Sequence, residues 1–157
     1  MIHTLPGNRR LIAALVLMLA VLAATAAGAD EIARTQVRGR FEDVKENLVL
    51  AIEGRGLVIN TTARIGDMLE RTGRDLGTTR HLYDHAEVLE FCSAGISRRM
   101  MESDPHQIAF CPYTIAVYTL PHVADSVFIS YRRPPAGRPG LAEVERLLED
   151  IVKEAAK

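Results

Sequence analysis

The sequence is short of the features that identify most small enzymes and cofactor proteins. It has two cysteines, Cys92 and Cys111, nineteen positions apart. No Cys-x-x-Cys pair occurs, which argues against a dithiol oxidoreductase of that type. No Cys-x-x-Cys-His occurs, so covalent haem attachment through that motif is excluded. There is no Gly-x-Ser-x-Gly elbow to present a nucleophilic serine. His81 and His85 stand four apart but lack the Glu that a zinc protease places between its histidines. Gly54-x-Gly56 is too short for a dinucleotide fingerprint and is better explained by a helix end and a tight turn. No basic run, internal repeat or low-complexity stretch appears. The mild acidity argues against nucleic acid or anionic lipid as the main partner.

What is present begins with a three-part N-terminus. Arg9 and Arg10 stand in an opening segment without acids. Leu11 to Ala24 follows as an apolar run, and Thr25-Ala26-Ala27-Gly28-Ala29 precedes the acidic Asp30-Glu31. A basic start, a short apolar core and small residues at the cleavage positions predict a secretory signal peptide over 1–29. The fourteen-residue run is short against the ~20 apolar residues that cross a bilayer as a helix. No stable membrane insertion is therefore expected after cleavage. The lack of a cysteine near Ala29 argues against a diacylated lipoprotein. Removing Arg9 and Arg10 leaves 17 basic side chains against 20 acidic ones, a formal charge of −3. The remainder, 30–157, suits a single periplasmic or secreted domain.

Within that domain, periodicity gives the order of elements. Ile32 to Arg40 alternates loosely as a first strand. Phe41, Val44, Leu48, Val49 and Ile52 recur at helical spacing, with Glu42 and Asp43 in the first turn, where the helix dipole favours negative charge. Gly54 and Gly56 end that helix, and Leu57 to Thr61 reads as a strand. Ile65, Met68, Leu69 and Leu76 mark a second helix broken at Gly73 and Gly77. Val88 to Cys92 is a strand, and Ser93 begins a helical stretch through Met101. Ile108 to Leu120 is strand-like, with the strand proper expected from Tyr113 because Pro112 cannot donate to a ladder. Ser126 to Arg132 is a further strand. After the breaker cluster Pro134 to Gly140, Leu141, Val144, Leu148 and Ile151 lead an apolar stripe on a helix over 141–156. The stripe suits packing on the domain's own sheet, or a dimer seam. The order predicts an α+β domain with helices on one face of a mostly antiparallel sheet. The opposite sheet face would then be open to solvent, a partner subunit or a ligand.

From about 41 to 134 the chain resembles the domain of unknown function 302 family (DUF 302). The similarity rests on the helix opening Phe41-Glu42-Asp43-Val44 and closing through Gly54-Arg55-Gly56-Leu57-Val58. It continues in the strand Val88-Leu89-Glu90-Phe91-Cys92, in Met100-Met101-Glu102-Ser103-Asp104-Pro105, and in the segment leading to Thr114-Ile115-Ala116-Val117-Tyr118. The resemblance implies a compact α+β domain with a curved antiparallel sheet, often a homodimer, without an agreed activity. It also implies a cysteine after the strand, matched by Cys92, and a Leu-Pro-Cys segment further on. Here that segment reads Phe110-Cys111-Pro112, so cysteine precedes proline and would turn toward the other side of the sheet.

Two sets of side chains are candidates for chemistry. In an oxidising compartment Cys92 and Cys111 suit a disulfide worth about 3 kcal/mol, against two separate buried thiols. His81, His85, Cys92, Met100 and Cys111 offer imidazole, thiolate and thioether, which suit a transition metal such as copper or the axial positions of a haem iron. An ordinary structural role is the stronger reading for nearly all of them, with His81 and His85 in a loop or short turn and Met100 filling a core gap. No cofactor is required by the sequence. The expected function is a non-enzymatic binding module for a small ligand or a partner protein. The alternatives are a transition-metal or haem protein, and an enzyme whose site is assembled from scattered residues.

Overall fold

The computed structural model describes residues 31–157; the expected signal peptide over 1–29 lies outside them. The first strand, β1, runs over Ile32–Arg38 and is followed by helix α1, Phe41–Glu53. Phe41, Val44, Leu48, Ala51 and Ile52 of α1 are buried on one side, as their spacing requires. Gly56, at φ +71°, turns the chain into β2, Val58–Ala63, and α2 follows over Ile65–Asp75. Next come β3, His85–Cys92; α3, Ala94–Ser103; a 3-10 turn, Pro105–Phe110; β4, Tyr113–Thr119; β5, Ser126–Arg132; and α4, Leu141–Ala155.

The five strands form one sheet in the order β1-β5-β4-β3-β2, and every neighbouring pair is antiparallel. The domain is α+β, with a C-terminal helix. Alternation along the strands separates the two sheet faces. Leu89 and Phe91 of β3, Tyr113, Ile115 and Val117 of β4, and Val127, Ile129 and Tyr131 of β5 join the α1 and α4 residues in the main core. Lys45 of α1 meets Glu87 of β3 at 2.7 Å, on the same face. Leu141, Val144, Leu148 and Ile151 are 1%, 2%, 3% and 0% exposed, so the C-terminal stripe is spent on the domain's own core.

The structure departs from the sequence-based expectations at four places. Helix α2 continues through Gly73 to Asp75, because a single glycine in an exposed helix costs only about 1 kcal/mol. Strand β3 begins at His85, not Val88, because pairing with β4 continues to His85↔Thr119. Ile108 to Phe110, the start of the strand-like run, fall in the 3-10 turn, with the Asp104 side chain accepting from the His106 backbone N–H, and the strand proper begins at Tyr113 as expected. Finally, the helices are not all on one face. Helix α2 packs against β3 at Ala86; a Cβ on Gly66 would lie 3.1 Å from the Ala86 nitrogen and 3.5 Å from its Cβ. Ala86 belongs by alternation to the face opposite α1 and α4.

That opposite face is itself partly filled. Tyr118 stacks on Phe128 with centroids 5.4 Å apart, and Tyr83 meets Tyr118 edge-on at 5.6 Å. Phe128, Ser126 and Ser130 are buried. Strand β5 is therefore covered on both sides at its centre, as a near-continuous apolar strand should be.

Candidate functional site

One recess among the described residues follows from how the strands end. The β3–β4 ladder runs to Phe91↔Tyr113, and the β1–β5 ladder runs to Ile32↔Arg132. Between them, the β4–β5 ladder among the described residues covers three pairs, Ala116↔Ser130 to Tyr118↔Phe128. Where β4 starts and β5 finishes, the two strands carry no such pairing. A groove of about 600 Å³ opens there. Tyr113, Val144 and Leu148 line it from the core side, and Thr114 and Arg132 line it from strand positions of the other face. Phe110 and Pro112 form one wall, Pro134 and Pro135 the other, with Glu31 at the lip.

The electrostatics of the groove come from two adjacent arginines in different situations. Arg133 is committed: its Nη1 donates to Glu145 Oε1 at 2.7 Å, and its guanidinium lies 6.0 Å from the centre of the Tyr131 ring. Tyr131 donates its hydroxyl proton to the same Glu145 oxygen at 3.3 Å. Burial and the Glu145 charge push the Tyr131 phenol up to about 12, so it remains a neutral donor across the physiological range. Arg132 is exposed and has no side-chain hydrogen bond or ion pair among the described residues. It is a free cation beside apolar walls, a pattern typical of sites for small molecules with one polar end. No serine, cysteine or histidine lines the groove.

A second, shallower recess of about 390 Å³ lies at the other end of the sheet, among Arg40, Phe41, Glu42, Asp84, His85 and Asp125. Its lining mixes the apolar Phe41, Val123 and Ala124 with one cation, Arg40, and the acids Glu42, Asp84 and Asp125.

The five proposed metal or haem ligands are dispersed. His81 Nδ1 lies 3.2 Å from Glu70 Oε2 and its Nε2 lies 3.1 Å from Asp84 Oδ1. Those hydrogen bonds raise its pKa above the ordinary histidine value and tie the chain before β3 to α2. His85 stacks on the Phe41 ring at 4.7 Å. Met100 is fully buried in the main core. Only Cys92 and Cys111 come together: Cys111 is close enough to Cys92 to raise the pKa of its thiol, and both are free and half-buried. Among the described residues no group of three or more His, Cys, Asp or Glu side chains is arranged to hold a metal ion.

Arg132 and the Pro134–Pro135 wall were missed as site residues by sequence reasoning. The available signal was an arginine pair at a strand end followed by two prolines, which fixes a stiff, extended exit from the sheet.

The class of protein is thus an α+β domain built on one five-stranded antiparallel sheet, with a groove at the start of β4 and the end of β5. Residues 33–157 match the family described as "Domain of unknown function DUF302", and the chain belongs to that family. The fold is similar to the crystal structure of the uncharacterized conserved protein DUF302 from Bacillus stearothermophilus, with a TM-score of 0.67. The two are 16% identical, and the match covers 82% of this chain and 100% of that one. No curated protein matches the sequence.

Proposed function

We propose that this protein is an exported, non-enzymatic binding domain, and that its groove takes a small apolar molecule carrying one anionic group. The observation that carries the reading is Arg132, an unpaired guanidinium at an apolar groove large enough for a medium-chain ligand. A carboxylate there would gain a charge-assisted, two-pronged hydrogen bond, while the chain would lie against Phe110, Tyr113, Val144 and Leu148.

Decanoate is a suitable probe. Calorimetric titration of the purified protein is expected to give saturable one-to-one binding, with decanol binding more weakly and decyltrimethylammonium not at all. Arg132→Glu is expected to weaken decanoate roughly 10- to 100-fold while leaving the melting transition in place. Equal affinity for all three head groups, or an unaffected Arg132→Glu variant, would remove the proposal.

Export is supported by the N-terminal sequence, and no helix among the described residues is long and apolar enough to cross a membrane. The full chain expressed in a Gram-negative host is expected in the periplasmic extract, with Asp30 as its first residue by intact mass. Protein retained in the cytoplasm with Met1 in place would contradict this.

A further inference from the structure

The groove leaves the two cysteines without a role, although the fold brings them into contact. Phe91↔Tyr113 is the last pair of the β3–β4 ladder. Cys92 is the next residue on β3, and Cys111 lies two residues before Tyr113, so both occupy the same end of adjacent strands. Both cysteines are free and partly open to solvent, and each lies near enough to the other for Cys111 to influence the Cys92 thiol. The α3 residue Ser97 places its Oγ 3.8 Å from Cys111 Sγ and 2.8 Å from the Tyr113 hydroxyl. Two separate core thiols need neither mutual contact nor exposure. A pair that has both can exchange with a disulfide from solution.

We propose that Cys92 and Cys111 form a reactive dithiol that a low-molecular-weight disulfide oxidises to an intramolecular bond. In the first step the Cys111 thiolate attacks one sulfur of the disulfide RSSR. The protein–S–S–R bond forms, the original S–S bond breaks, and the departing RS⁻ takes up the proton that Cys111 released. In the second step the Cys92 thiolate attacks the Cys111 sulfur, forming the Cys92–Cys111 bond and expelling the second RS⁻, which is protonated in turn. One RSSR is reduced to two RSH while the two protein thiols are oxidised to one disulfide.

The order of the steps has a physical cause. Burial, and then the neighbouring Cys111 thiol, push the Cys92 thiol up to about 11. Cys92 is therefore held protonated near neutrality and acts second, as the resolving thiol. The thiolate is the attacking species, so resolution should accelerate about tenfold per pH unit while the pH stays well below that value.

The test uses the reduced full-length protein with oxidised glutathione, acid quenching, and mass analysis of intact protein and peptides. The expected sequence is a glutathione adduct on Cys111, followed by its loss with formation of the Cys92–Cys111 disulfide. That second phase should be about tenfold faster at pH 8 than at pH 7. Cys92→Ser should trap the adduct on Cys111, and Cys111→Ser should abolish the internal disulfide. Unreacted thiols in the folded wild-type protein, stable adducts on both cysteines, or a disulfide-linked dimer would each overturn the proposal. The wild-type time course decides the matter even if a variant folds poorly. Decanoate binding does not enter this readout, so failure of the groove reading would leave it intact.

Discussion

Gly140→Val is expected to lower the unfolding free energy by about 2–5 kcal/mol, measured by urea denaturation. Gly140 precedes α4 with φ +83°, where a side chain adds roughly 1–2 kcal/mol of backbone strain, and a β-branched residue fits worst. A Cβ there would also lie 2.8 Å from the Met100 Cα and 3.3 Å from its Cβ. Met100 is fully buried, so neither α3 nor α4 can shift without disturbing the core, and forced overpacking adds about 1–3 kcal/mol. Gly137→Val is the internal control. Gly137 has a similar φ of +79°, but a Cβ there meets nothing within 4 Å, so only the backbone cost of roughly 1–2 kcal/mol applies. Equal losses at the two glycines would show that the contact between Met100 and the start of α4 is wrong.

Phe91→Ala should destabilise by about 3–5 kcal/mol, the range for removing a buried aromatic side chain and leaving a cavity. Phe91 is 0% exposed and meets the Tyr113 ring edge-on at 6.1 Å, in the layer between the sheet and α1. The measurement is again a denaturant midpoint with an unchanged slope. The loss should lower the midpoint without altering the surface exposed on unfolding. A cost below about 1 kcal/mol would mean that this ring is not in the core.

Some of this architecture was legible because local pattern and tertiary packing agree. The β5 strand matches its apolar run at Ser126–Arg132, and α4 follows the stripe begun by Leu141 and Val144. Where the two disagree, packing prevails. His85, Ala86 and Glu87 look like loop residues, yet the β4 backbone pairs with them. Gly73 looks like a break, yet α2 continues through it.

The site was less legible than the fold. The groove depends on where one ladder stops relative to its neighbours, and it joins strand ends to a helix distant in sequence. No periodicity encodes that. The cysteines could be singled out as a pair by count, but their contact depends on the β3–β4 register. Met100 illustrates the opposite case: its thioether chemistry suggested a ligand, whereas its complete burial against α4 identifies it as core.

The central claim is that the groove between β4 and β5 receives the ligand, and locating bound decanoate by NMR tests it most directly. Backbone and methyl resonances of the isotope-labelled protein should shift on titration at Tyr113, Thr114, Arg132, Val144 and Leu148, with contacts from the decanoate chain to the Val144 and Leu148 methyl groups. Shifts centred instead on Phe41, Asp84 and His85 at the opposite end of the sheet, or no saturable shifts, would contradict the account.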